Sequence, residues 1–310
     1  MRGFSGDLAS FIESDLKCAY LEPDSLKEAC ALFDQYKEKA RLISGGTRLI
    51  PLIREGKITP EYLINLKNIP NLQYVDYYQD YDEEGVKIGC GATLFELSRS
   101  QLINEKAGIL GEALSQRNLQ ANKARWAYYM ATIGGSLYSP ESIADIAPAL
   151  MVLNAKAVRQ GIQGWETMSI ENLFATSNNG DMYEVLVEIR IPKLQESEVG
   201  FAYEKAVGTG DGPSICAAVF LRLDLKHVDV EDVRIVVGGV GQAPVESQEG
   251  AAIMKGNPID DHLIIDAADV ATGEVCGSAD SETLERANQV IEEAIRHAID
   301  RSIGDFALGY

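Results

Sequence analysis

Two glycine pairs, Gly45-Gly46 and Gly134-Gly135, each sit between small hydroxyl-bearing residues: Ser44 and Thr47 around the first, Thr132 and Ser136 around the second. Each pair follows an apolar strand-like or helical stretch. Glycine admits positive φ and lets another group approach the backbone with no Cβ between them. Successive N–H groups in such a turn form a concave nest for an anion. A diphosphate is a natural guest, with the four hydroxyls as further donors. Taken singly, each pair is equally well a tight turn with no ligand. The familiar nucleotide motifs are missing. No GxxxxGK[ST] run occurs, which excludes a P-loop. Gly89-Cys90-Gly91 and Gly239-Val240-Gly241 both lack a third glycine in register, so a Rossmann dinucleotide site is excluded too.

The wider chain narrows the partners. Its 310 residues suggest about two domains, and a hydrophobic content of 46% supplies a sizeable core. Net charge is -19, from 28 basic and 47 acidic residues. Nucleic acid is therefore not an expected partner, because phosphate binding needs clustered Lys and Arg. No run approaches the roughly 18 apolar residues of a membrane span, and the first residues do not read as a signal peptide. A cytoplasmic location is the expectation. Cys18, Cys30, Cys90, Cys216 and Cys276 are scattered without a CxxC pair, and His227, His262 and His297 have no ligand-type neighbour at useful spacing. Buried thiols are expected rather than zinc or iron–sulfur ligation.

Periodicity gives a coarse order of elements. Ser25 with Glu28 fits a capping box, and Leu26, Ala29, Cys30, Phe33 and Tyr36 share a helical face. Strands are expected at 40–43, 62–66, 86–89, 150–158, 185–191, 215–223 and 233–237. Further helices are expected at 49–54, after Thr93 through Leu102, over 106–129, at 259–271 and at 281–299. Pro192 to Glu198 is the one convincing boundary.

Several runs in that order resemble the FAD-binding subunits of the xanthine dehydrogenase and carbon monoxide dehydrogenase family of molybdenum hydroxylases. Ser44 to Pro51 (SGGTRLIP), Pro60 to Leu66 (PEYLINL) and Ile69-Pro70 resemble the family's first FAD-binding region. Ile88 to Thr93 (IGCGAT) is similar to its next strand and cap. Thr132 to Ser136 (TIGGS), Ser139-Pro140 and Ala144 to Pro148 (ADIAP) resemble the second region. Phe201 to Lys205 (FAYEK) and Val237 to Gly239 with Pro244-Val245 look like the carboxy-terminal domain. The resemblance runs from about residue 18 to 303.

It implies an α+β fold: a two-lobed PCMH-type (vanillyl-alcohol-oxidase-like) FAD-binding domain at 1–195, with lobes of about 1–70 and 71–195. A CO dehydrogenase flavoprotein C-terminal-like α+β domain follows at 199–303. The implied cofactor contacts are Leu42, Ile43, Ser44, Gly45, Gly46, Thr47, Arg48, Leu49, Asn122, Thr132, Gly134, Gly135, Ser136, Ser139, Asp145, Val187, Lys205 and Asp211. Within that set the glycine loops take the diphosphate, Asp145 the adenosine side and Val187 an apolar flavin contact. Lys205 and Asp211 fall near the isoalloxazine. Read without the resemblance, Asp145 is a helix cap and Lys205 a solvated lysine. The implied role is electron transfer, with no catalytic residue and no metal in this chain. A molybdopterin-binding large subunit and a [2Fe–2S] small subunit are the implied partners, and electrons would pass to an external acceptor such as NAD or another carrier.

The chain departs from the family pattern at Ala127 to Met130 (AYYM), where an Arg-Asn-Arg-like run is usual. Gly208 to Pro213 replaces an arginine-bearing stretch, with Gly212 where a bulky residue often covers the flavin. A more open flavin, or a different acceptor, is the expectation. The rival readings are a stand-alone flavin reductase of the same superfamily and a structural subunit that has lost FAD.

Overall fold

A computed structural model describes residues 18–81, 83–120, 125–177, 183–193, 199–208, 214–224, 229–277 and 279–307. The first lobe comprises β1 (Ala19–Leu21), α1 (Leu26–Tyr36), β2 (Ala40–Ile43), α2 (Leu49–Arg54) and β3 (Tyr62–Asn65). Its strands form a parallel sheet in the order β1-β3-β2. Ser25 caps α1 by accepting the Glu28 N–H at 3.2 Å. The Glu28 carboxylate takes the Asp24 N–H at 2.8 Å, one residue earlier than a capping box requires.

The second lobe runs through β4 (Val75–Gln79), β5 (Glu84–Gly89), α3 (Leu94–Ser98), α4 (Gln101–Lys106), α5 (Gly108–Gln120) and α6 (Arg125–Met130). It continues with α7 (Ile133–Leu137), α8 (Pro140–Val152), β6 (Lys156–Gly161), β7 (Gly164–Ser169), α9 (Ile170–Ser177) and β8 (Val185–Pro192). The strands make an antiparallel sheet in the order β4-β5-β8-β6-β7. β8 serves both lobes, because its Val185 and Val187 complete the small core formed by Ala29, Cys30, Ala40, Ile64, Ile69 and Leu72.

Two expectations change here. The helix expected through Leu102 breaks into α3 and α4, since Thr93 and then Ser100 each cap a new first turn. The strand expected over 150–158 begins only at Lys156, and Leu150–Val152 closes α8 instead. Ile146, Ala147, Ala149, Leu150, Met151 and Val152 are all buried, so no polar face marks the helical period in the sequence. Pro140 at the first turn, where its missing N–H costs nothing, starts that helix.

The third unit holds β9 (Val199–Ala206), β10 (Ile215–Asp224), β11 (Asp229–Gly238), β12 (Val245–Glu246), α10 (Gln248–Met254), α11 (Asp261–Cys276) and α12 (Ser281–Ala307). Its antiparallel sheet, β12-β11-β10-β9, is a middle layer. Alternation along β10 divides its side chains between two cores. Ile215, Ala217, Val219, Leu221 and Leu223 face α11 and α12, while Cys216, Ala218 and Phe220 join the core of the second lobe. Both faces of the strand are therefore dry, and each fully buried aliphatic contributes about 1.5–3 kcal/mol. The sheet and the second lobe share one apolar interior.

Polar anchors cross the same junction. Tyr203 donates its hydroxyl to the Asp145 carbonyl at 2.9 Å, and Gln116 donates to the Tyr203 carbonyl at 2.9 Å. Arg234 donates to the Met151 carbonyl at 2.6 Å and pairs with Glu246 at 2.7 Å. Among the described residues no helix is long and apolar enough to cross a membrane. All five cysteines are buried thiols outside any disulfide.

Gly273 lies exposed inside α11, and a Cβ there meets nothing within 4 Å. Gly273→Ala is expected to stabilise the chain by about 1 kcal/mol, the usual helix-interior difference. A thermal melt of the two proteins checks it.

Candidate functional site

The first glycine turn joins β2 to α2. Gly46 adopts φ +67°, the left-handed conformation that favours glycine, and its carbonyl accepts the Ile50 N–H at 3.1 Å. Gly45 lies against the chain that enters the second turn. A Cβ on it would stand 2.8 Å from the carbonyl carbon of Met130 and closer still to that carbonyl's oxygen. The two turns, distant in sequence, are thus neighbours in space.

The second glycine pair is not a loop. Gly134-Gly135 lies inside the short helix α7, capped by Thr132, whose hydroxyl accepts the Gly135 N–H at 3.2 Å. The remaining amides are also engaged. Ile133 donates to Ala92, Gly134 to Cys90 and Ser136 to Thr132, at 3.0, 3.0 and 2.9 Å. An anion nest of free N–H groups is the expectation at both turns; here the carbonyls of Ala92, Cys90 and Thr132 and the Thr132 hydroxyl take the amides of the second. The first turn differs. Among the described residues the N–H groups of Gly45, Gly46 and Thr47 donate to no protein acceptor. Only that turn presents a row of open amides to an anion.

Both turns wall one cleft of about 600 Å³, within the usual range for small-molecule and cofactor sites. Leu42, Ile43, Ser44, Gly45, Gly46, Thr47, Arg48 and Leu49 line it from the first lobe. Thr132, Gly134, Gly135, Ser136 and Ser139 line it from the second, along with Cys90 and Gly91. Burial pushes the Cys90 thiol well above its ordinary value, so it behaves as an apolar wall.

Three expected contacts stand elsewhere. Asp145, on α8, pairs with Lys205, on β9, at 2.7 Å, and neither belongs to the cleft wall. Lys205 is not the solvated lysine its sequence context allows, since its side chain is 3% exposed. Val187 is buried in the core between the lobes, while its neighbour Leu186 lines the cleft. The cause is a register slip between β6 and β8. Arg159 pairs with Leu186 and Val158 with Glu188, which leaves Val187 as the extra residue of a bulge. Asn122 and Asp211 lie outside the described residues, as does most of the 208–213 segment.

The cleft also gathers residues that periodicity did not single out. Glu38, Arg41, Tyr138, Arg159, Tyr183 and Glu184 line it, beside Phe33 from the predicted face of α1. The available signal was Arg159, a charge that directly follows the apolar pair Ala157-Val158 in strand β6. Tyr138 is half exposed toward the cleft and surrounded by protein atoms, and that desolvation pushes its phenol up to about 12.

A family model described as the FAD binding domain in molybdopterin dehydrogenase matches residues 14–194, more than half of the chain. The chain belongs to that family. A second model, the CO dehydrogenase flavoprotein C-terminal domain, matches 202–282. The sequence is 28% identical over 291 residues to the carbon monoxide dehydrogenase medium chain of Hydrogenophaga pseudoflava, covering 90% of this chain and 96% of that one. It is 24% identical over 262 residues to the glyceraldehyde dehydrogenase medium chain of Sulfolobus acidocaldarius, covering 83% and 88%. The structure matches that of Hydrogenophaga pseudoflava carbon monoxide dehydrogenase lacking the Mo-pyranopterin moiety of its molybdenum cofactor. The TM-score is 0.80 at 25% identity, with 92% of this chain and 98% of the other covered.

The protein is therefore an FAD-binding medium subunit of a molybdenum-hydroxylase oxidoreductase, with the two-domain α+β fold of that family. Its cleft fits the cofactor on two independent grounds. The open amides of the first turn suit a diphosphate. The cleft is also lined by apolar side chains, Leu42, Ile43, Leu49 and Leu52 among them, as cofactor sites usually are.

Proposed function

We propose that this subunit holds FAD in the cleft between its lobes and relays electrons to an external acceptor. They would come from [2Fe–2S] clusters of a small subunit, after substrate oxidation on a molybdopterin-binding large subunit. The observation that carries the reading is the convergence of both glycine segments on one cleft, with three open amides on one side. FAD supplies the redox chemistry when bound, accepting one or two electrons without an acid–base pair from the protein.

The chain's own residues bind and orient. The N–H groups of Gly45, Gly46 and Thr47 and the hydroxyls of Ser44, Ser136 and Ser139 would hold the diphosphate, with Arg48 and Arg41 supplying positive charge from the same wall. Leu42, Ile43 and Leu49 would exclude water. Asn122 and Asp211 stay assigned to the cofactor as part of this reading. Asp145 and Lys205 act through the junction that their ion pair closes, by fixing α8 and hence the helix α7 that precedes it. The domains are taken as 1–195 and 199–303, and the working location as the cytoplasm, which suits five reduced thiols.

The purified full chain is expected to show the visible absorption bands of a flavin at one FAD per chain. Native purification is expected to bring molybdenum and iron with it. A colourless chain that takes up no added FAD would sink the proposal. FAD uptake without any co-purifying metal would favour the stand-alone reductase.

A further inference from the structure

The five-stranded sheet of the second lobe ends on β7, and among the described residues no strand pairs with its outer edge. The β6–β7 hairpin closes through Gly161 and Gly164, so hydrogen-bonded pairs alternate from there and Arg159 pairs with Glu166. The N–H and C=O groups of Trp165 and Thr167 therefore point away from the sheet. Among the described residues they have no protein partner. The edge strand β9 is handled differently. Arg301 donates to its Phe201 carbonyl at 2.6 Å, and Gln116 donates to its Tyr203 carbonyl at 2.9 Å. Strand β7 also lacks the lysine or proline that often guards an edge. Its only charge, Glu166, is held by Arg159 at 2.9 Å. Two large apolar side chains stand out on this hairpin, Ile162 at 61% and Trp165 at 63% exposure.

We propose that β7 pairs antiparallel with β7 of a second copy of this chain, across a two-fold axis at Thr167. The strand is complementary to itself in that register. Thr167 lies opposite Thr167 of the other copy, Trp165 opposite Ser169, and Glu166 opposite Met168. The outward groups of Trp165 and Thr167 then join a hydrogen-bonded ladder, and no like charges stand directly opposite. The neighbouring register that also aligns outward groups is centred on Glu166, and it sets two carboxylates face to face. Each indole gains cover across the axis, where the small Ser169 and Thr167 side chains leave room for it. The interface is isologous, the same strand serving both copies. Net charge of -19 on each copy opposes their approach, so the contact strengthens as salt screens it. The pairing is independent of what fills the cleft.

The test follows the mass of the purified full chain by light scattering at rising concentration. The mass is expected to climb from the 33.8 kDa monomer toward twice that value across the micromolar range. The rise should come at lower concentration when salt goes from about 20 to about 200 mM. Trp165→Lys places a guarding charge on the edge, and Thr167→Pro removes an outward N–H. Each is expected to weaken the dimer by about tenfold, and Trp165→Lys, at an exposed position, should melt as the wild type does. The five native cysteines are buried, so Thr167→Cys adds an exposed thiol on the axis. Mild oxidation with glutathione disulfide is expected to link two such chains, since paired strands bring Cα atoms within bridging distance. Gln163→Cys, at the hairpin tip and far from the axis, is expected to stay unlinked. A wild-type chain that remains monomeric throughout the micromolar range at both salt levels overturns the inference. So does a dimer that neither edge substitution weakens, or one that Gln163→Cys links as readily as Thr167→Cys. Loss of a co-purifying subunit from the native complex of Trp165→Lys, with the isolated chain monomeric, gives the edge to that subunit and overturns it too.

Discussion

Replacing Gly45 by alanine is expected to leave the chain without flavin and to cost about 3 kcal/mol of stability, the upper end of ordinary overpacking. The added methyl has no side chain to displace. It lands on the backbone carbonyl of Met130, at the entrance to the second glycine segment. Relief requires the two lobes to part, and the cleft lies between them. The open amides of Gly45, Gly46 and Thr47 would then lose their alignment even if the fold survives. Denaturant unfolding and flavin absorbance per chain measure the two effects. Full flavin content at unchanged stability would show that the lobes do not meet at this carbonyl.

The second large effect concerns Asp145 and Lys205. Their ion pair is 2.7 Å long with side chains 12% and 3% exposed. Removing one partner leaves a buried charge uncompensated, which typically costs about 3–5 kcal/mol. Asp145→Asn and Lys205→Met are each expected to lose that much in denaturant unfolding. The double variant Asp145→Leu with Lys205→Met should recover most of the loss, because an apolar pair of similar volume can replace a buried ion pair at little net cost. Flavin content in the double variant separates two roles. Retention fits residues that act through the junction of lobe and sheet. Loss without destabilisation would return them to the cofactor itself.

Much of this architecture could be read locally. Helix α1 announces itself by Ser25 and by the spacing of Ala29 and Cys30, and the structure places it at Leu26–Tyr36 as the spacing predicts. The glycine pairs marked both segments that line the cleft. Reading failed where burial removed the pattern. Leu150 to Val152 belong to a helix whose end is dry on every side, and an all-apolar run carries no period. Strand β7 was missed for the opposite reason. It is an edge strand, largely exposed, with Trp165 and Thr167 among polar neighbours and no buried face to alternate against. The cleft residues Arg159, on β6, and Glu184, just before β8, lie far apart along the chain, and nothing in their spacing links them.

Local chemistry was enough to specify the glycine bends, the caps and the alternating strands, because each depends on neighbours within a few positions. It was also enough to point to the family. Whether an amide stays open was another matter. The second glycine pair looks like the first in sequence, yet a carbonyl from Cys90 and a hydroxyl from Thr132 occupy its N–H groups. The pairing of Asp145 with Lys205 and the inward turn of Val187 likewise arose from chain packing. Hydrogen-bond partners and buried charges are chosen among groups brought together from far along the chain, and that choice is settled only when the layers close.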